Sequence, residues 1–261
     1  MKKLIKSLIY PIYEKRLLAS LDLKNTPHHV GVILDGNRRW SKENPSPSGD
    51  TSSRRGHRAG GEKILELLDW CEATEIKVVT LWLLSSDNFK RDTAELESLY
   101  QIITETVEKL RSTGRWRIKP MGSFELLPPD LRESLKDVEQ ATAGNSDGII
   151  VNVAIGYGGR LEIVDAVKRF IADAAKDGKS ASQIGEAISA EKIDQFLYTA
   201  GLPDPELVIR TSGEQRLGGF LLWQSHQSEF YFCEAYWPDF RKVDFLRALR
   251  SYAVRERRLG R

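Results

Sequence analysis

Strand-like and helix-like segments alternate along almost the whole chain, and this alternation limits the possible folds more than any other feature. His29–Leu34 (HVGVIL) is a short apolar, β-branched run that stops at Asp35-Gly36. Ala59–Ala73 has helical periodicity, and Lys77–Leu84 reads as a buried strand. In Thr93–Ser112 the residues Leu96, Leu99, Ile103, Val107 and Leu110 recur every three or four positions, which predicts a long helix. A strand at Trp116–Met121, a helix at Pro128–Ala143, a strand at Ile149–Ile155 and a helix at Leu161–Ala175 follow. Strands at Leu207–Arg210 and Phe230–Cys233 and a helix at Val243–Arg257 complete the pattern. It predicts a single α/β domain with a central, mainly parallel, twisted sheet and helices on both faces. Ligands of such sheets bind beyond the carboxyl ends of the strands.

Three strand ends carry polar chemistry. The first reads Asp35-Gly36-Asn37-Arg38-Arg39 and the second Ser85-Ser86-Asp87-Asn88-Phe89-Lys90-Arg91. The last two strands bracket Arg210-Thr211-Ser212-Gly213-Glu214-Gln215-Arg216-Leu217-Gly218-Gly219. Arginines next to glycines offer guanidinium forks and bare backbone N–H groups to phosphate oxygens. A lone carboxylate among them, Asp35, suits Mg²⁺, which usually takes one or two carboxylates together with substrate phosphates. A helix cap or a salt-bridge partner is the plainer role for the same aspartate. The chain has no G-x-x-x-x-G-K-[ST] loop and no G-x-G-x-x-G, so neither a P-loop nor a dinucleotide site is predicted. Ser41–Ser53, rich in Pro, Ser and Gly, reads as a long mobile loop of the kind that forms lids, and Gly178–Ser182 as a surface linker.

Cys71 and Cys233 are the only cysteines, which excludes a disulfide scaffold or a cysteine zinc site and fits a reducing, cytoplasmic setting. The net charge of +2 is unevenly spread: residues 1–24 hold six Lys/Arg against two acids, and residues 241–261 hold eight against two. Within residues 1–25, Leu4, Ile5, Leu8, Ile9 and Ile12 form one stripe of an amphipathic helical extension. That stripe suits either the anionic surface at the inner face of the cell membrane or the protein's own body. No nucleic-acid motif accompanies the basic ends.

These segments also carry a resemblance. HVGVILDGNRRW, SSDNFKR, VNVAIGYGGRLEIVDAV, the segment Glu206–Glu214 with Phe220–Gln224 and Glu229, and WPDF at Trp237–Phe240 resemble, in order, the signatures of the cis-prenyltransferase (undecaprenyl diphosphate synthase) family. The likeness spans residues 28–261, and 26–261 is the expected catalytic domain. It implies a Mg²⁺-dependent condensation of an allylic diphosphate with isopentenyl diphosphate (IPP), forming a Z double bond. By position, Asp35 resembles the metal-binding carboxylate, with Glu229 a second carboxylate near the metal. Gly36, Asn37, Arg38, Arg39 and Trp40 resemble the allylic diphosphate cradle, joined by His57 and Arg91. Ser85 and Asn88 resemble a polar pair near the reacting carbons, Asn88 with a catalytic role, and Phe89 an apolar wall. Arg210, Arg216 and Gly218 resemble the IPP site, although a serine often stands where this chain has Gly218. Of Arg54 and Arg55, either fits the arginine expected before Gly56-His57. Arg258-Leu259-Gly260 resembles a tail whose Gly260 reaches a partner subunit's IPP site, implying a homodimer. Trp82, Leu83, Leu84 and the Thr93–Ser112 helix are expected to wall an apolar tunnel. Leu83, where long-chain relatives commonly have a small residue, implies a short product, C15 Z,E-farnesyl diphosphate. Long-chain polyprenyl diphosphate synthesis and a non-catalytic partner subunit are the alternatives. Partner subunits typically lose the Asp-Gly-Asn-Arg motif, which this chain keeps.

Overall fold

The structure, a computed structural model, describes residue 10 and residues 13–254. Residues 13–20 are helical (α1), and Leu17 and Leu21 at its end are buried in the main core. The Tyr10 and Tyr13 rings lie under the guanidinium groups of Arg241 and Arg247 at 4.9 and 5.3 Å. This part of the N-terminal extension therefore packs on the protein's own body. Leu4, Ile5, Leu8, Ile9, Ile12 and the Arg258-Leu259-Gly260 tail lie outside the described residues. Among the described residues, no helix is long and apolar enough to cross a membrane.

Six strands form one sheet: β1 (His29–Ile33), β2 (Val78–Ser85), β3 (Arg117–Met121), β4 (Ile150–Tyr157), β5 (Leu207–Arg210) and β6 (Glu229–Phe232). Their order is β3-β4-β2-β1-β5-β6, and every pairing is parallel. Burial explains the composition. All five residues of β1 and all four of β5 are buried, as expected for strands covered on both faces. The covering helices are α2 (Asn37–Glu43), α3 (Ser53–Ala73), α4 (Thr93–Ser112), α5 (Pro129–Thr142), α6 (Gly159–Lys176), α7 (Ala181–Ala187), α8 (Ala190–Asp194) and α9 (Lys242–Ala253). α4 has the predicted bounds and buries Leu99, Ile102, Ile103, Thr106, Val107 and Leu110 along one stripe.

Three local expectations are corrected. The predicted loop at Ser41–Ser53 shrinks to residues 44–52, because Ser41–Glu43 belong to α2 and Ser53 opens α3. The Ser52 hydroxyl caps α3 by accepting from the Arg55 N–H, so this helix begins six residues before its apolar periodicity does. The remaining loop is closed on itself, with the Ser46 N–H donating to the Asp50 carbonyl at 3.0 Å and the Gly49 N–H to the Ser46 carbonyl at 2.8 Å. None of its residues lines the cleft at the carboxyl ends of β2, β1 and β5, so it is no lid over that cleft. The linker at Gly178–Ser182 is half helix: Ser180 and Gln183 form a reciprocal cap on α7.

α2 lies against α3 unusually closely. A Cβ on Gly56 would stand 2.1 Å from the Asn37 carbonyl oxygen, and one on Gly60 would stand 2.3 Å from Asn37 Oδ1. Two glycines one turn apart thus set how deeply Asn37, and with it the start of α2, sits in the fold.

A buried polar chain crosses the sheet below the site. His29, with no exposed surface, has Nδ1 2.7 Å from the Pro203 carbonyl and Nε2 2.8 Å from Thr80 Oγ1, which also accepts from Asn152 Nδ2 at 2.9 Å. Burial drives the His29 pKa down to about 4, from the ordinary 6.5. Between those two values the unfolded chain takes up a proton that the folded chain refuses, so stability falls as pH drops through that window. The loss from His29 is on the order of 3 kcal/mol. Urea unfolding at pH 7 and pH 4.5 is expected to show it. A His29→Gln variant should show a visibly smaller acid loss, and an equal loss in both proteins would contradict the assignment.

Candidate active site

A cleft of about 600 Å³ opens at the carboxyl ends of β2, β1 and β5, three neighbours in the sheet. Asp35 stands at its centre, two residues past the end of β1. Its backbone is held from several sides. The Asp35 N–H donates to the Thr211 hydroxyl at 3.0 Å, while its carbonyl accepts from that hydroxyl at 2.7 Å and from the Trp237 N–H at 3.0 Å. Gly36 follows at φ 101, a left-handed turn in which a Cβ would meet Tyr236 at 2.6 Å. Only glycine fits there, and the turn starts α2 with Asn37, Arg38 and Arg39 on the cleft.

Carboxylates and arginines alternate around the cleft. Asp35 Oδ2 accepts from Arg210 Nη2 at 2.7 Å, and Asp35 Oδ1 lies 3.5 Å from Arg39 Nη2. Arg39 also reaches Ser212 Oγ at 2.7 Å and Glu214 Oε1 at 3.3 Å. The second oxygen of Glu214 pairs with Arg216. On the α4 side, Glu95 Oε1 holds Arg91 at 3.0 Å and Arg38 at 3.7 Å. Burial alone raises the Asp35 pKa, but the bond from Arg210 and the charges of Arg210 and Arg39 outweigh it, and the carboxyl sits below its ordinary value. It is therefore an anion at neutral pH. The Arg210 side chain is only 7% exposed, and its Nε is buried with no partner. His57, on α3, is lowered to about 4 by burial and by the positive charges of Arg91 and Arg38, so it faces the cleft as neutral imidazole.

Behind the arginines the cleft turns apolar. Leu34, Asn37, His57, Leu83 and Leu99 also border a pouch of about 40 Å³, whose walls are completed by Ile102, Ile103 and Thr106 of α4, by Gly60, Gly61 and Ile64 of α3, and by Trp237. The Trp237 indole N–H donates to the Gly60 carbonyl at 2.7 Å, which fixes the ring. Trp82 and Leu83 both line the cleft although they are neighbours on one strand. The pairing of β2 with β4 explains this: Trp82 pairs with Ala154 and Leu84 with Ile155, leaving Leu83 as an extra residue. Such a bulge redirects side chains that strict alternation would send to opposite faces. Leu84 then returns to the core with no exposed surface, so it does not wall the tunnel as expected.

Most predicted site residues come together in the cleft: Asp35, Gly36, Asn37, Arg38, Arg39, His57, Leu83, Ser85, Asn88, Arg91, Arg210, Arg216 and Gly218. Ser85 and Asn88 are coupled, the Ser85 N–H donating to Asn88 Oδ1 at 3.1 Å. Trp40, Phe89, Glu229 and the Arg54/Arg55 pair do not join them. Trp40 is turned to the far side of α2, under the Arg55 guanidinium at 4.6 Å, where it borders a separate shallow pocket with Arg54, Arg55 and Arg58. One helical residue beyond Arg39 rotates by about 100°, which takes Trp40 off the cleft. Arg54 and Arg55 go with it, so neither lines the cleft. Phe89 lies against Gly156 and the main core, not along the cleft. Glu229 begins β6, in register with Leu207 and, through it, with Val30. That level is five residues before Asp35, on the order of 16 Å along the strands. Within one chain Glu229 therefore does not reach the carboxylate it was expected to assist. Glu95 and Glu214, which hold four of the arginines, were not among the predicted site residues. The i,i+4 spacing of Arg91 and Glu95 is the signal that would have found the first.

Among the described residues, no three His, Cys, Asp or Glu side chains gather into a metal site. A single ionised carboxylate facing an open, arginine-lined cleft suits a cation that takes its other ligands from phosphate oxygens and water, and Mg²⁺ is such a cation.

A cleft with arginines on two sides of one carboxylate, leading into an apolar pouch, is built for phosphate esters with hydrocarbon tails. The family model described as "Putative undecaprenyl diphosphate synthase" matches residues 33–260, and the chain belongs to this prenyltransferase family. It is 54% identical over 252 residues to the (2Z,6E)-farnesyl diphosphate synthase of Thermobifida fusca, covering 97% of each chain. It is 52% identical over 256 residues to Isoprenyl transferase 1 of Streptomyces avermitilis, covering 98% of this chain and 97% of that one. Among solved structures, lavandulyl diphosphate synthase from Lavandula x intermedia, in complex with dimethylallyl diphosphate, superposes with a TM-score of 0.80 at 32% identity, over 89% of this chain and 98% of that one.

Proposed function

We propose that this prenyltransferase is a short-chain cis-prenyl diphosphate synthase that joins geranyl diphosphate to one IPP and releases diphosphate, giving C15 Z,E-farnesyl diphosphate. The observation that carries the reading is the pairing of an arginine-rich cleft with a shallow apolar pouch stopped by Leu83, α4 and Trp237. The naming of the Thermobifida fusca relative supports the same product class.

Arg38, Arg39 and Arg91 are positioned to hold the allylic diphosphate, and Arg210, Arg216 and the bare backbone at Gly218 to hold that of IPP. Asp35 would hold Mg²⁺, which when bound neutralises charge on the departing diphosphate. The arginines stabilise the same charge from fixed positions, so no reorganisation is needed as the C–O bond breaks. Neutral His57, placed between the arginines and the pouch, adds no positive charge beside the allylic cation. Trp82, stacked on Phe220 at 5.2 Å, and Leu83 form the wall that keeps water from that cation. We further propose a homodimer in which the Arg258-Leu259-Gly260 tail serves the partner's IPP site.

The test is incorporation of radiolabelled IPP with dimethylallyl, geranyl and farnesyl diphosphates as separate primers. Geranyl diphosphate is expected to be the best primer, with a single C15 product. Products of C50 or longer would refute the short-chain reading, and no incorporation with any primer would refute the enzyme itself.

A further inference from the structure

Five arginines line the cleft, and each is paired with a carboxylate: Arg210 and Arg39 with Asp35, Arg39 and Arg216 with Glu214, Arg91 and Arg38 with Glu95. Glu214 has a special place in this set. Its two oxygens hold different arginines, Oε1 taking Arg39 and Oε2 taking Arg216. On the reading above, Arg39 belongs to the allylic diphosphate and Arg216 to the diphosphate of IPP. Glu95, by contrast, holds two arginines of the allylic side alone.

The backbone leading to Glu214 is tied to the segment after β6. Ser212 and Gly213 both have left-handed backbone, at φ 78 and φ 74. Their N–H groups donate to the carbonyls of Ala235 and Cys233 at 2.8 and 2.9 Å. A Cβ on Gly213 would stand 2.6 Å from Glu234 Oε2, so the turn is fitted closely to the segment after β6. Glu214 is thus aimed at the arginines by its backbone, and its side chain is 28% exposed at the cleft rim.

We propose that Glu214 is a positioning residue shared by the two diphosphate subsites, an internal stand-in for substrate phosphate. In the free enzyme it holds Arg39 and Arg216 in the orientation that phosphate oxygens require. When diphosphates arrive, the arginines exchange the carboxylate for phosphate. When the product diphosphate leaves, Glu214 takes them back, so release does not strip the arginines of all partners. This rests on the diphosphate reading of the cleft. It has a definite electrostatic sign: the carboxylate repels phosphate and competes for both arginines, so it weakens ground-state binding and speeds release.

The probe is inorganic pyrophosphate, titrated calorimetrically without metal into wild type and Glu214→Gln at several salt concentrations. Glu214→Gln should bind pyrophosphate about tenfold more tightly, a difference of about 1.4 kcal/mol. Its affinity should also fall more steeply with salt, because freed arginines recruit solution anions that must be displaced. In steady-state assays KM should fall for both substrates, and kcat should fall with it as release slows. Weaker or unchanged pyrophosphate binding in a folded Glu214→Gln protein would overturn the proposal, as would a KM change confined to one substrate. A wild-type protein that fails to bind pyrophosphate at all would overturn the underlying reading of the cleft instead.

Discussion

Asp35→Asn is expected to lower kcat by a factor on the order of 10²–10³, the usual cost of removing one preorganised electrostatic stabiliser. Asparagine is the informative substitution because of what surrounds the residue. The Arg210 side chain is nearly buried and leans on Asp35 Oδ2 at 2.7 Å. Alanine would leave that guanidinium with no acceptor there, and a buried charge without its partner is costly to the fold. Asparagine keeps an oxygen for Arg210 and the backbone bonds to Thr211 and Trp237, while removing the negative charge. Thermal unfolding should therefore change little while turnover collapses. The KM values should move less than kcat, since the arginines that bind the diphosphates remain. Near-normal turnover in folded Asp35→Asn would remove Asp35 from the mechanism, and the case for Mg²⁺ at this position with it.

Leu83→Ala is expected to change the product itself. Leu83 stands where the polar cleft narrows into the pouch, and truncating it removes three carbons from the wall. On the proposed reading the growing chain enters from the arginine side, which puts the added depth in its path toward Ile102, Ile103 and Trp237. Packed interiors respond to a single methylene, and three open room for part of a further prenyl unit. Chromatographic sizing of the products should show C20 and longer species at the expense of C15. An unchanged distribution would move the stop to α4 or to Trp237, for which Ile103→Ala and Trp237→Phe are the next variants.

The architecture was readable because each of its causes is local. α4 announces its full span through a stripe of large apolar residues, and the buried strands are short β-branched runs. Knowing that such strands are parallel was enough to bring Asp35, Ser85 and Arg210 to one edge, since each stands at or just past the carboxyl end of its strand. What could not be read was orientation within an element. Arg39 and Trp40 are adjacent in the chain, yet the pitch of a seven-residue polar helix with no periodicity to display sends one to the cleft and the other to Arg55. Glu229 was misplaced for another reason. The resemblance ties it to the metal, yet it precedes the predicted strand Phe230–Cys233 and so stands at the amino end of β6, away from the carboxyl ends where Asp35 lies. The bond from Glu214 to Arg39 joins elements far apart in the chain and leaves no local signature, whereas for Glu95 the i,i+4 spacing from Arg91 is the one mark along the chain.

The bulge at Leu83 separates two properties that are tied together elsewhere in the sheet. At Val79 or Leu81 a change of side chain disturbs residues locked in register on both sides. Leu83 has no assigned partner in β4, and in β1 the recorded pairing ends at Trp82. Its size can vary without unsettling the ladder or the placement of Asp35 and Arg210. With the stop at Leu83, as proposed, product length would be set at one of the few places in the sheet where sequence drift is cheap. A lineage could lengthen or shorten its lipid by exchanging this residue and leave the ionisation machinery as it was.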